Sequence, residues 1–317
     1  MPIHPKLQEF LREVKGSSHK SFSQMSIQEM RQATKNFKVF QGDSEDIHQV
    51  IKKSIKQKDH EYQMRLYYPS SKKGLPLILF FHSGGFVKGD VEFSEPFCRR
   101  IANGAQAIVA SVNYRLAPEH RFPSALEDAY SALCWVYEHA VEIGADKHKI
   151  AVMGESSGGN LAAALAIMTH SKQGPPLCFQ VLVYPQLDYT RHFPSHTLFA
   201  ENCFLTEEAL MFYASQYLPE GADKKDPYIS PYFTKHYQHL PPAYIITAEY
   251  DPLRDEAEEF AKNLKEAGVR VVQHRFPGMI HGFISMPIVV EEARQGIQLI
   301  CETLLSVFRK DDSRRIA

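Results

Sequence analysis

The run Gly154-Glu155-Ser156-Ser157-Gly158 sets a serine hydroxyl where it can attack a carbonyl. The apolar stretch 149–153 before it reads as a buried strand, and residues 159–168 behind it are rich in strong helix formers. A serine on the sharp turn between such a strand and helix stands clear of the sheet edge. The positive end of the helix dipole lies behind it, and flanking glycines tolerate a tight backbone. The same five letters also occur as a plain glycine-rich turn. The strand and the helix on either side give the catalytic reading its weight.

Serine-based acyl chemistry needs a base for the hydroxyl proton, a group that orients the base, and donors for the oxyanion. His281 is the expected base. It follows a predicted strand, in the Gly/Pro-bounded stretch Phe276-Pro277-Gly278-Met279-Ile280-His281-Gly282-Phe283 near the end of the chain. The chain has 15 histidines, and an arbitrary one is a surface or core residue. Among the rivals, His274 falls within the predicted strand. His82 and His120 precede Ser156, against the Ser, Asp, His order of such sheets. Asp251 is the expected orienting acid, between a predicted strand and a helix opened by Pro252. That place equally suits a helix N-cap, and the two roles are compatible. Of its rivals, Asp255 is expected inside the helix and Glu249 nearer the strand. The oxyanion donors are expected in His82-Ser83-Gly84-Gly85-Phe86, directly after a strand ending at Phe81, with the N–H of Ser157 as a further donor.

These residues must be carried by a sheet. Apolar runs at 75–81 and 107–112 read as strands buried on both faces, with further strands at 149–153, 179–184, 243–248 and 269–276. Helical patterns at 123–139, 160–170, 252–267 and 288–308 alternate with them, which implies a mostly parallel sheet covered on both sides. Segments 46–55 and 59–68 alternate and are expected to pair antiparallel at an edge. Two segments fall outside the alternation. Residues 1–45 contain two helical patterns, one carrying Leu7, Phe10, Leu11 and Val14, the other spanning 26–37. Residues 188–232 form an aromatic-rich insertion. Peripheral packing would account for both, but the reading favoured here is a lid over the C-terminal sheet edge. The catalytic domain is then expected to comprise 46–187 and 233–317.

The composition is that of an ordinary globular chain: 317 residues, 44% hydrophobic, 23% charged, formal net charge -1. Such a balance offers no electrostatic argument for nucleic acid or an anionic membrane. The basic clusters at 52–58 and 72–73 are expected to be solvated, and 309–315 a frayed tail. No run reaches transmembrane length, and no signal peptide is evident. Five scattered cysteines without CxxC spacing suggest reduced thiols in a cytoplasmic protein rather than a disulfide framework or a zinc site.

Several blocks together resemble the hormone-sensitive-lipase family of α/β-hydrolases, a group of mostly bacterial carboxylesterases. They are His82-Ser83-Gly84-Gly85, Asn113-Tyr114-Arg115-Leu116-Ala117-Pro118-Glu119-His120, Gly154-Glu155-Ser156-Ser157-Gly158-Gly159-Asn160, Asp251-Pro252-Leu253-Arg254-Asp255 and His281-Gly282-Phe283. Tyr184-Pro185-Gln186-Leu187-Asp188 and Asp226-Pro227-Tyr228-Ile229-Ser230-Pro231 are also similar, so the resemblance runs from about residue 60 to the end. It implies an α/β-hydrolase fold, a triad of Ser156, Asp251 and His281, and oxyanion donors Gly84, Gly85 and Ser157. It further implies a cap built from 1–45 and 188–232, small ester substrates of short to medium chain length, no cofactor or metal, and dimers through an edge strand. An amidase or lactonase using the same triad is the alternative. A ligand receptor of the gibberellin-receptor kind is disfavoured because His281 is present. Three letters depart from the family pattern. Ser83 replaces a glycine, Ser157 an alanine whose N–H is retained, and Glu155 an aspartate. Arg115 is a candidate partner for Glu155, with Glu119 and Asp128 as competing partners for Arg115.

Overall fold

Continuous apolar runs in sequence become strands that feed two cores at once. The computed structural model describes residues 2–17, 24–57, 59–201 and 203–313. In β3 (Leu75–Phe81), Leu77, Leu79 and Phe81 join one apolar cluster while Ile78 and Phe80 join the other. Period-two alternation therefore serves both faces of the sheet. Each such side chain, removed from water, contributes about 1.5–3 kcal/mol.

The remaining strands are β1 (Gln49–Lys56), β2 (Glu61–Tyr68), β4 (Ile108–Asn113), β5 (Ala145–Glu155), β6 (Phe179–Val183), β7 (Ala243–Tyr250) and β8 (Val271–Ile280). They form one 8-stranded sheet in the order β1-β2-β4-β3-β5-β6-β7-β8. The β1–β2 and β2–β4 pairs are antiparallel and all others parallel, which places the two alternating early segments at one edge as expected. The helices are α1 (Pro5–Ser17), α2 (Ile27–Phe37), α3 (Glu95–Ala105), α4 (Ser124–Glu138), α5 (Ser157–Ser171), α6 (Pro194–Leu198), α7 (Glu207–Tyr217), α8 (Arg254–Glu266) and α9 (Glu291–Ser313). Helices α4, α5 and α8 bury Leu126, Leu133, Leu165 and Phe260 in one cluster; α1, α3 and α9 bury Leu7, Ile101, Ile300 and Leu304 in the other. Helix α5 is buried from Ser157 through Thr169, which explains its small apolar residues.

Topology fixes where chemistry can occur. From β3 the chain crosses to β4 on one side, then returns to β5 on the other side of β3. The loops after β3 and β5 therefore diverge at a crevice on the C-terminal sheet edge, where open α/β sheets bind ligands.

The structure differs from the sequence reading in several places. Helix α3 was not expected, although Pro96 at its first turn and Phe97, Cys98, Ile101, Ala102 and Ala105 on its buried side give it a start signal and a helical stripe. Strand β8 runs through Pro277 and Gly278 to Ile280, which an edge strand tolerates because one side of its ladder is free. Helix α8 begins at Arg254 rather than at Pro252. Helix α9 continues to Ser313, so residues 309–313 are helical rather than frayed. Of the charged runs, Lys58, Arg314 and Arg315 lie outside the described residues.

Candidate active site

The turn at Ser156 is built from the closeness of its neighbours. A Cβ on Gly154 would lie 2.0 Å from the carbonyl oxygen of Gly158, and one on Gly158 would lie 2.1 Å from that of Phe81. These glycines let α5 approach β5 and β3. The unusual backbone belongs to Ser156 itself, at φ 54 and ψ -117. A non-glycine residue held there stores about 1–3 kcal/mol of strain, which the surroundings must offset. They do so through three backbone bonds: the N–H of Ser156 donates to Val183 O at 2.9 Å, and its carbonyl accepts from Asn160 at 3.0 Å and Gln186 at 3.2 Å. The Asn160 amide adds bonds to Gln186 O and Ile229 O, each 2.8 Å.

The three residues singled out for acyl chemistry meet at this turn. His281 follows directly on β8, and its Nε2 lies 2.9 Å from Ser156 Oγ. On the other side of the ring, Nδ1 lies 2.7 Å from Asp251 Oδ2. Asp251 is fully buried just beyond β7, and its other oxygen accepts the N–H of Leu253 at 2.9 Å. It thus caps the turn ahead of α8 as well as holding the imidazole, so the two readings of this residue coexist. The rivals have other work. Glu249 accepts the N–H of Gly278 at 2.7 Å, and Asp255 accepts that of Ser195 at 2.9 Å.

The loop after β3 lies against the same turn. Gly84 and Gly85 have φ of 134 and 63, and Phe86 follows at φ 63. Among the described residues, the N–H groups of Gly84, Gly85 and Ser157 carry no hydrogen bond within the protein. A side chain at Gly84 would collide with the Lys88 carbonyl at 2.0 Å, and one at Gly85 with the Tyr213 ring at 2.4 Å. Ser83 has a negative φ, so replacing glycine there imposes no backbone penalty. His82 is buried behind the loop, stacked on Tyr114 with centroids 4.2 Å apart. Its Nδ1–H donates to Ser83 O at 2.9 Å, and burial pushes its pKa down to about 4, so it stays neutral. Gly89, which the sequence reading passed over, is also required. Its Cβ would strike Ser83 O at 2.4 Å, with φ at 91.

Glu155 has partners the sequence did not disclose. Arg115 instead chelates Asp128, with Nε 3.0 Å from both oxygens, and also reaches Glu127 at 3.2 Å. Glu119 pairs with Arg31. Glu155 accepts bonds from the Tyr184 and Ser285 hydroxyls, each at 3.2 Å. Burial pushes its pKa up to about 7, outweighing those two bonds and the nearby His281, which lower it. Tyr184 also packs its ring 4.7 Å from that of His281, which links Glu155 to the imidazole through one side chain.

The two segments outside the alternation converge at Gly282, next to His281 in the chain. Phe204 from the insertion packs on Phe10 and Phe37 with centroids 5.6 and 5.4 Å away, and lies about 3.5 Å from where a Gly282 Cβ would stand. Helix α7 sets Tyr213 over Gly85 and stacks Tyr217 on Phe86 at 3.8 Å. Arg31 of α2 donates to the Val87 and Ala117 carbonyls as well as to Glu119. Deeper in, His196 of α6 meets Glu256 of α8 at 2.6 Å, and Glu256 also accepts the N–H of Asp188 at 3.2 Å. Asp188 completes a buried three-residue cluster that has the composition of a metal site. Its oxygens are already engaged, accepting from Thr190 N–H at 2.8 Å, Thr190 Oγ1 at 2.7 Å and Arg191 N–H at 3.1 Å. These bonds make the cluster a structural polar knot in which His196 Nδ1 is left without a hydrogen-bond partner.

Comparison with known proteins bears on the fold and the family. Residues 78–285 match a family model described as α/β hydrolase fold. The chain is 40% identical over 235 residues to esterase LipI of Mycobacterium tuberculosis, covering 73% of each protein. It is 32% identical over 310 residues to an arylesterase of Saccharolobus solfataricus, covering 98% of this chain and 100% of that one. Among solved structures, an esterase of the hyperthermophilic archaeon Pyrobaculum calidifontis superposes with a TM-score of 0.90 at 38% identity, over 96% of this chain and 99% of that one. An ester hydrolase from the Lake Arreo metagenome, complexed with a phosphonate derivative, gives 0.93 at 31% identity, over 96% and 99%. A serine turn at the switch point of a mostly parallel sheet, matched along this length, places the chain in the hormone-sensitive-lipase family of α/β-hydrolases.

Proposed function

We propose that this chain is a serine carboxylesterase that hydrolyses short- to medium-chain acyl esters without a cofactor. The observation that carries the reading is the unbroken hydrogen-bonded chain Asp251–His281–Ser156, at 2.7 and 2.9 Å. Ser156 attacks the ester carbonyl while His281 takes its proton, and buried Asp251 stabilises the imidazolium and fixes the tautomer. The charge that develops on the carbonyl oxygen is met by the N–H groups of Gly84, Gly85 and Ser157, which have no other partner among the described residues. His281 then gives its proton to the leaving alcohol and later activates the water that frees the acid. The esterase relatives support the reaction class.

Residues 1–45 and 188–232 act together as a cap, since Phe10 and Phe37 pack on Phe204 in an aromatic wall that lies against Gly282, the residue after His281. That wall favours an apolar acyl or alcohol group. All five cysteines are without a disulfide among the described residues, which suits a reducing, cytoplasmic setting. No described helix is long and apolar enough to cross a membrane.

A panel of p-nitrophenyl esters from acetate to laurate, with one anilide and one lactone, tests the proposal. Turnover is expected to be greatest for the shorter esters and far slower for the anilide. Ser156→Ala is expected to reduce kcat by about four orders of magnitude or more. Equal turnover of ester and anilide would make the enzyme an amidase, and an unaffected Ser156→Ala variant would remove the mechanism.

A further inference from the structure

Three imidazoles meet on the surface at the other end of the helix that begins behind Ser156. His170 lies in the last turn of α5, about 20 Å along the helix axis from its first residue. His239 ends the 3₁₀ turn Tyr237–His239, and His236 is the residue that caps it. Side chains three apart eclipse in a 3₁₀ turn, so His236 and His239 project from one side. The His170 ring is 4.3 Å from that of His239 and 6.1 Å from that of His236, and the latter two are 6.3 Å apart. All three are exposed and line one open cavity of about 700 Å³.

A zinc-type ion binds imidazole nitrogen at about 2.0–2.1 Å, which puts ring centres about 3.2 Å from the metal and about 5 Å from one another in a tetrahedral site. One observed separation is shorter than that spacing and two are longer, and the donor nitrogens as they stand do not all lie within 4.8 Å of one another. His170 and His239 stack rather than converge, so one ring must turn; exposed side chains do this in picoseconds to nanoseconds. The backbones beneath are fixed. His239 and Leu240 N–H groups close the turn on His236 O and Tyr237 O at 3.0 and 3.1 Å. Gln180 of β6 holds the next two residues, its side chain on Pro241 O and its N–H on Pro242 O, each at 2.9 Å.

We propose that His170, His236 and His239 form a surface site for a divalent transition-metal ion of the zinc class, with water completing the coordination. A bound ion would tie the end of α5 to the turn that leads into β7. Those two elements carry Ser156 and Asp251 at their far ends, so the ion acts on the scaffold and not on the bond being broken. The site does not depend on the reaction proposed above.

The test is titration of metal-free full-length protein with Zn²⁺ alone, followed by calorimetry, at about pH 7.5 and about pH 5.5, either side of the ordinary imidazole value. One ion per chain is expected at the higher pH, and weaker binding at the lower. Removing any one imidazole is expected to weaken binding by more than about tenfold, since loss of a group that merely orients a ligand already costs that much. His148→Ala, at an exposed histidine outside the cluster, is expected to bind as the parent does. The parent's Tm is expected to rise with Zn²⁺, while that of His236→Ala/His239→Ala is unchanged. Absence of stoichiometric binding by the parent would overturn the site. So would a His170→Ala/His236→Ala/His239→Ala variant that retains the parent's stoichiometry and affinity.

Discussion

Ser156, His281 and Asp251 are easy to place by their order in the chain, but the residues packed around them are harder to read. Glu155 illustrates why. Its partners, Tyr184 and Ser285, stand 29 and 130 residues away, and sequence spacing says nothing about which hydroxyls will face a buried carboxyl. The structure also assigns Arg115 to Asp128, where the sequence left its pairing open. Two predictions follow at this scale. The Glu155 carboxyl, raised by burial to about 7, keeps a proton in the folded chain that the unfolded chain releases near pH 4.5. Stability therefore falls as pH rises from about 4.5 to 7 and levels off above, by up to about 3 kcal/mol from this group. Urea unfolding at several pH values is expected to show the parent losing stability relative to Glu155→Gln by that amount as pH rises from about 4.5 to 7; Glu256, raised to about 7 by burial, acts in the same direction in both proteins and His82, lowered to about 4, in the opposite one. The second concerns Gly84→Ala. A new Cβ 2.0 Å from a backbone carbonyl must displace the loop, so kcat is expected to fall about 10²- to 10³-fold with a smaller change in KM. Ser83→Gly, at a position of negative φ, is expected to change kcat little in the same assay.

At the scale of elements, strands were more legible than the segments between them. Buried parallel strands are written as apolar runs that few other structures produce, so β3 and β4 were readable almost to the residue. Helix α3 carried a readable stripe that went unused, and α6 and α7 lay inside an insertion with no period-two or long helical pattern. Contacts decide what those pieces do. Helix α6 is pinned by His196 on Glu256, a pair with exposures of 3% and 0%, whereas α2 is held by Arg31 on Glu119, at 32% and 52%. Removing one partner of a buried hydrogen-bonded pair leaves the other unsatisfied at a cost of about 1–3 kcal/mol, and an exposed ion pair contributes about 1 or less. His196→Ala is therefore expected to destabilise the protein by about 1–3 kcal/mol in urea. Arg31→Ala is expected to unfold near the parent's midpoint, while its lost bonds to the Val87 and Ala117 carbonyls raise KM for the longer esters.

For the whole molecule, one topological fact organises the chemistry. The reversal of strand order at β3 puts the Gly84–Gly85 loop and the Ser156 turn on either side of a single crevice. Strands β7 and β8 then deliver Asp251 and His281 to the same edge from farther along the sheet. The sequence suggested this by alternating strands with helices, but the crossing direction at β3 is a property of packing and appears in no local pattern. The central claim is that Ser156 is the nucleophile of this assembly. Incubation with a p-nitrophenyl alkylphosphonate, followed by peptide mass spectrometry, measures it directly. The account predicts one phosphonyl group per chain on the peptide containing Ser156, formed in step with loss of ester hydrolysis and absent from Ser156→Ala. Full inactivation with the label on any other residue, or an unlabelled Ser156→Ala variant that still turns over esters at the parent rate, would contradict it.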